Sequence, residues 1–179
     1  MDDYIPISAI NDFLFCPHSL YYHGLYTSFD QKVYQDTPQV EGTLRHATVH
    51  NGTYSTRKDC LQGMFVYCEQ YLLVGKIDTF FADSGELIER KSKVKHIYDG
   101  YKFQLFAQFF ALSEMGYTVN HLSIHSLTDN KHYSIELPNT EVIIAFESTL
   151  KAIRSFDITK TACTCSENKH HNNIYKELY

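Results

Sequence analysis

The chain has 179 residues, of which 21% are charged, and a formal net charge of −5. These values suit a globular domain and argue against disorder. The negative charge excludes nucleic-acid binding through a global basic field, so such binding would need a local basic patch or bound metal ions. No stretch is apolar enough to span a membrane, and the acidic N-terminus is unlike a signal peptide. We therefore expect a cytoplasmic protein without a membrane partner, whose five cysteines are free thiols or metal ligands.

The first part of the chain predicts helices. Ser8 is a candidate N-cap for a helix with an apolar stripe, and that helix ends at Cys16-Pro17 because proline disfavours helix before it. A second short helix is predicted around Leu20. A polar loop follows, and residues 40–49 predict a third helix.

The hydrophobic period then changes to that of strands. Five strands are predicted, at residues 64–67, 71–81, 86–91, 121–126 and 132–136. Phenylalanines at helical spacing predict a helix over residues 98–115 that stops at Gly116. A last helix is predicted to begin at residues 138–140 and to reach about Phe156. This order predicts an α/β domain over residues 1–160, with a mixed central sheet flanked by helices, and a cysteine-containing tail over residues 161–179.

Two acids and a lysine form the pattern with the most chemical content. Asp78, Glu89 and Lys91 have apolar, strand-forming neighbours, where a buried acid is costly unless it is paired or bound to metal. Glu89 and Lys91 are two apart on one strand, so they face the same side. Two carboxylates can hold a divalent cation, and a lysine can position a water or stabilise charge on a phosphate. The pattern predicts a metal-dependent nuclease; the alternative is that these residues decorate the exposed face of an antiparallel sheet.

Two further polar residues are candidates for the same site. His46 lies upstream, and Gln104 shares a face of the predicted 98–115 helix with Gln108. The structural alternatives are a surface histidine and a solvated helix position. His46 and His50, four apart on a predicted helix, would also suit half of a zinc site, but no third ligand follows at a zinc spacing.

Basic residues near these motifs are candidates for a local DNA-binding patch. They are Arg57, Lys58, Lys93, Lys95 and Lys102. Lys91, Lys93 and Lys95 alternate along a strand and would form one basic stripe. The alternative is a solvated edge that discourages strand pairing.

Four motifs resemble, in order and spacing, those of RecB-like nucleases of the PD-(D/E)xK superfamily. They are Gly42-x-x-x-His46, Gly75-x-x-Asp78, Glu89-x-Lys91 and Gln104-Leu105. Residues 13–17, 88–91 and 103–108 further resemble the fourth family of CRISPR-associated proteins, which comprises iron–sulfur exonucleases that serve spacer acquisition.

The resemblance implies a restriction-endonuclease-like core with a divalent-metal centre. In it, His46, Asp78 and Glu89 would bind Mg²⁺ or Mn²⁺, Lys91 would orient the attacking water, and Gln104 would support the site. The implied activity is that of a DNA exonuclease or end-trimming nuclease, which processes prespacer DNA at single-stranded or overhang ends together with the proteins of the CRISPR integrase complex. Two alternatives stay open: a non-catalytic adaptor that docks on that complex, and a RecB-like repair nuclease outside CRISPR.

The family's [4Fe–4S] cluster uses four cysteine thiolates, one near the N-terminus and three near the C-terminus. Cys16 matches the first, and Cys163 and Cys165 match two of the others, whereas the third C-terminal cysteine is missing from this sequence. His170 or His171 is a candidate substitute ligand. The resemblance thus implies an iron–sulfur site with an incomplete cysteine set, and we predict that Cys16 lies close to Cys163 and Cys165.

Overall fold

The computed structural model describes residues 4–26 and 59–160. The helices in these ranges are α1 (Ile7–Phe15), α2 (Pro17–Tyr26), α3 (Asp99–Glu114) and α4 (Thr140–Ser155). The strands are β1 (Ile5–Pro6), β2 (Cys60–Gln62), β3 (Phe65–Cys68), β4 (Leu73–Lys76), β5 (Thr79–Phe81), β6 (Glu86–Lys91), β7 (His121–Ser126) and β8 (Lys131–Ile135). The predicted helix over residues 40–49 and the tail over residues 161–179 lie outside the described ranges.

The described strands form two sheets. The larger has five strands in the order β2-β5-β6-β7-β8, and the smaller has three in the order β1-β4-β3. β6 and β7 pair in parallel, and α3 provides the crossover between them, as parallel neighbours require. The other pairs of the larger sheet are antiparallel. The predicted α/β class, with a mixed sheet flanked by helices, is confirmed.

The predicted strand over residues 71–81 is wrong, because this stretch is two strands in different sheets. β4 pairs with β1 and β3, whereas β5 pairs with β2 and β6. Ile77 and Asp78 lie between them, where the chain passes from one sheet to the other. The Ile77 amide donates to the Met64 carbonyl at 3.0 Å, and the Gly63 amide donates to the Asp78 carbonyl at 3.2 Å. Asp78 is therefore held at the junction of the two sheets.

The start of the first helix also differs from the prediction. Pro6, not Ser8, occupies the N-cap position of α1, and its side chain makes no capping hydrogen bond. The reason is the short strand β1, whose Ile5 amide donates to the Leu72 carbonyl at 2.8 Å. This pairing fixes the chain just before the helix, and the rigid φ of Pro6 suits the transition. The predicted end is confirmed, since Cys16 is already extended.

The helix α3 lies at the centre of the described fold and contacts α1, β3, β4 and β6. Its buried apolar residues occur on several faces because both sheets and α1 cover it. Gly116 ends it with φ +91°, a conformation that glycine adopts without steric cost. At α4, the Asn139 side chain accepts a hydrogen bond from the Val142 amide at 3.0 Å, which confirms the predicted start. No helix in residues 4–26 or 59–160 is long and apolar enough to cross a bilayer.

Gly75 lets α1 pack closely on β4. A Cβ atom at this position would lie 2.9 Å from the Cβ of buried Ile7. We expect Gly75→Ala to lower the free energy of unfolding by about 1–3 kcal/mol, because both contacting atoms are fixed to backbone. Urea titration measures the difference, with Lys76→Ala, an exposed neighbour, as a control expected within about 0.5 kcal/mol of the parent. Equal unfolding free energies for Gly75→Ala and the parent would contradict this packing.

Candidate active site

Glu89, Lys91 and Gln104 form a closed set of hydrogen bonds between β6 and α3. Lys91 Nζ lies 2.8 Å from Glu89 Oε1. Gln104 Nε2 donates to that same Glu89 oxygen at 2.8 Å, and Gln104 Oε1 accepts from Lys91 Nζ at 2.8 Å. The two β6 side chains thus face one site, as their spacing predicts, and each of the three side chains fixes the other two.

Glu89 is only 2% exposed. This burial excludes the alternative that it decorates an open sheet face. Its second oxygen, Oε2, accepts a hydrogen bond from Gln108 Nε2 at 2.7 Å, and Gln108 is completely buried. Gln108 is missing from the sequence-based set of site residues, although its position one helical turn after Gln104 is the signal that could have found it.

Asp78 completes the site from the junction of the two sheets. Its Oδ2 accepts a hydrogen bond from the Arg90 amide at 2.8 Å, so the carboxylate is attached to β6 between Glu89 and Lys91. Burial, and then the negative charge of Asp78, raise the pKa of Glu89 above its ordinary value, whereas Lys91 and Gln108 oppose that rise. Two buried carboxylates thus lie close enough to repel each other.

Lys91 is held in its charged form. Burial alone lowers the pKa of Lys91, but the charge and hydrogen bond of Glu89, followed by the charge of Asp78, outweigh it, so the net shift is upward. The Tyr101 ring adds a favourable contact, with its centroid 4.9 Å from Lys91 Nζ. At neutral pH, Lys91 therefore presents an ammonium group to the two acids.

The donor set fits a divalent cation. Two carboxylates and one ammonium leave a net negative charge in a buried place, which is costly without a further positive charge. Oxygen ligands suit Mg²⁺, which often binds through one or two carboxylates together with water and substrate phosphate. Gln108 Oε1 is a further buried oxygen near Glu89, and it has no hydrogen-bond partner. Within residues 4–26 and 59–160, no group of three His, Cys, Asp or Glu side chains could hold a metal. His46, the third predicted ligand, lies outside those residues.

The predicted basic stripe is wrong. β6 ends at Lys91, because the chain then turns toward the β7–β8 hairpin and the Val94 amide donates to Ser126 Oγ at 3.0 Å. Lys93 and Lys95 are exposed on the segment that follows, while Lys91 faces the acids. Arg57 and Lys58 lie outside the described residues.

The predicted iron–sulfur site is represented by one cysteine in the described part of the chain. Cys16 is buried at the end of α1. Cys163 and Cys165 lie outside the described residues, as do His170 and His171, so the convergence of these side chains stays a prediction. The cysteines in the described ranges form no disulfide bond.

The raised pKa of Glu89 has a consequence for stability. A carboxyl whose pKa is raised on folding binds protons more tightly in the folded state, so its contribution to stability falls as pH rises from about 4.5, its ordinary value, through the raised value. We expect the unfolding free energy of the parent in EDTA to fall across this window relative to Glu89→Gln, which cannot titrate. Urea titrations at a series of pH values measure this difference, and parallel pH profiles for the two proteins would contradict it.

Comparisons with known proteins show the fold only. No protein-family model matches the chain, and no curated protein matches it. Among solved structures, the chain is similar to the crystal structure of a protein named SSO0001, with a TM-score of 0.63 and 14% sequence identity. The match covers 100% of this chain and 87% of the other. At this low identity, the likeness shows a shared α/β fold and assigns no activity.

Proposed function

We propose that the chain is a divalent-metal-dependent DNA nuclease with a PD-(D/E)xK-type centre formed by Asp78, Glu89 and Lys91. The observation that supports this most is the buried Glu89 carboxylate, which is fixed by hydrogen bonds on both oxygens beside a second buried acid. A structural ion pair needs one acid for one base. Here two acids surround one lysine, and the surplus negative charge suits a cation.

Each side chain then has a role in phosphodiester hydrolysis. Mg²⁺ or Mn²⁺ bound by Asp78 and Glu89 would polarise the scissile phosphate and lower the pKa of a bound water. Lys91 offers N–H donors to that water or to a phosphate oxygen. Gln104 and Gln108 hold the Glu89 oxygens in place before substrate arrives, which lowers the reorganisation needed during the reaction.

We also propose that the chain acts in CRISPR spacer acquisition, where it would trim prespacer DNA at single-stranded or overhang ends together with the proteins of the integrase complex. Support comes from the resemblance of the motifs around Glu89 and Gln104, whose side chains meet in one site. The adaptor alternative is disfavoured because an unused pair of buried acids would cost stability without return. A repair nuclease outside CRISPR would use the same centre, and proximity of the gene to CRISPR genes distinguishes the two roles.

The proposed [4Fe–4S] cluster is tested separately, by iron analysis and an absorbance spectrum of an anaerobic preparation.

The test is cleavage of end-labelled DNA by the purified full chain. Single-stranded DNA and a duplex with overhangs are incubated with Mn²⁺, with Mg²⁺ or with EDTA. We expect shortening of the labelled strands with metal and none in EDTA. Asp78→Asn, purified in parallel, is the control against a contaminating nuclease and is expected to be inactive. Intact DNA under every condition, or equal cleavage by Asp78→Asn, would contradict the proposal.

A further inference from the structure

An aromatic series runs outward from Lys91 through the first turn of α3 and the segment that precedes this helix. It consists of Tyr101, Tyr98 and His96. The Tyr101 centroid lies 4.9 Å from Lys91 Nζ, the Tyr98 ring lies 5.7 Å from Tyr101, and the His96 ring lies 6.2 Å from Tyr98. Tyr98 is 55% exposed, so a large aromatic surface faces solvent within a series of ring contacts that begins in the candidate active site.

The segment that carries these rings is fixed to the fold. The Leu127 amide donates to the Lys91 carbonyl at 2.9 Å, and the Thr128 amide donates to the Ser92 carbonyl at 2.9 Å. Val94, two residues after Ser92, is buried. An exposed ring on such a segment loses little conformational entropy when it binds a ligand.

The surroundings of the aromatic series are locally basic, in contrast to the net charge of the chain. Lys93 and Lys95 are exposed on either side of buried Val94. Lys102, on the first turn of α3, lies 3.4 Å from Asp99, the one acid between residues 92 and 102. Glu136 lines a cavity together with Asp99 and Lys102, so three lysines face two acids. The surface keeps a net positive charge, which suits phosphate groups.

We propose that the aromatic series and its lysines bind an unpaired DNA strand, stack one of its bases on Tyr98, and lead its end to Lys91 and Glu89. The inference rests on the proposed function, for which it names the residues that hold the unpaired strand. Exposed aromatic rings accept any base because every base has a π face, and neighbouring lysines follow the phosphates. The bases of a duplex are already stacked on one another, so an unpaired strand is the form that can present a base face to the exposed Tyr98 ring.

The test is binding of a fluorescein-labelled single strand to the full chain, measured by anisotropy in EDTA so that no cleavage occurs. We expect Tyr98→Ala to weaken binding about tenfold, the scale of losing one base–aromatic contact. Tyr98→Phe, which keeps the ring, is expected to stay within about twofold of the parent. Tyr67→Ala is the matched control, because Tyr67 is 43% exposed but lies far from Tyr98. Its neighbour on β3, Cys68, contacts Glu114 at the C-terminal end of α3, whereas Tyr98 precedes the N-terminal end. The 16 residues of α3 separate these two ends by about 24 Å.

An abasic strand of the same length separates stacking from charge. We expect the parent to bind it about tenfold more weakly than the normal strand, and Tyr98→Ala to cause no further loss. Equal affinity of the parent and Tyr98→Ala for the normal strand, or no binding by the parent, would overturn the inference even if the parent cleaves DNA. Conversely, Tyr98-dependent binding by a parent that cleaves nothing with Mn²⁺ would support the strand-binding surface and reject the proposed function.

Discussion

Glu89→Gln is expected to reduce metal-dependent DNA cleavage by at least about a hundredfold, the scale of losing one key electrostatic group. The amide keeps the size of the buried side chain but removes the anionic ligand between Gln104 and Gln108. Single-turnover cleavage of labelled single-stranded DNA with Mn²⁺ measures the effect. Glu86→Gln is the matched control, because Glu86 is on the same strand and alternation places it on the opposite face. Its rate is expected to equal that of the parent.

The Glu89→Gln result is interpretable only for folded protein. Circular dichroism and thermal unfolding in EDTA provide that check for both variants. A folded Glu89→Gln protein that digests DNA as fast as the parent would show that the site is assigned wrongly.

Lys91→Met is expected to impair turnover about a hundredfold or more while leaving Mn²⁺ affinity equal or higher. A protonated lysine cannot ligate a cation, and its removal lowers the positive charge beside the two acids. Calorimetric titration with Mn²⁺ measures affinity, and single-turnover cleavage measures the chemical step. Lys151→Met, an exposed change on α4 away from the candidate site, serves as the control for both measurements.

The same Lys91 variant is expected to lose stability without metal, by up to about 3 kcal/mol, because Glu89 would lose its buried cationic partner. Saturating Mn²⁺ should restore most of that loss. Abolished Mn²⁺ binding by a folded Lys91→Met protein would contradict the assignment of Lys91 to water or phosphate positioning.

Local patterns were sufficient to predict part of the fold and site. The helical period and Gly116 predict α3, and Asn139 predicts the start of α4, because both signals act within a few residues. The alternation of Glu89 and Lys91 is equally local, so it places both side chains on one face before any partner is known.

The rest depends on contacts between distant parts of the chain. Asp78 looks like a mid-strand residue until β4 is known to pair with β1 and β3 in one sheet and β5 with β2 and β6 in the other. The pairing of β1 with β4 also moves the helix start from Ser8 to Pro6. Helical spacing places Gln108 on the same face as Gln104. The contacts of that face and of Tyr101 with the β6 side chains depend on the way α3 crosses β6, and no local pattern determines that crossing.

Anomalous diffraction from crystals soaked in Mn²⁺ tests directly whether Asp78 and Glu89 bind a cation. Two carboxylates that together bind a catalytic cation should give a manganese peak at coordination distance, roughly 2 Å, from oxygens of both Asp78 and Glu89. Crystals of Asp78→Asn should lack this peak. A parent that cleaves DNA with Mn²⁺ but binds manganese elsewhere, with none at these two carboxylates, would contradict a metal centre formed by Asp78 and Glu89.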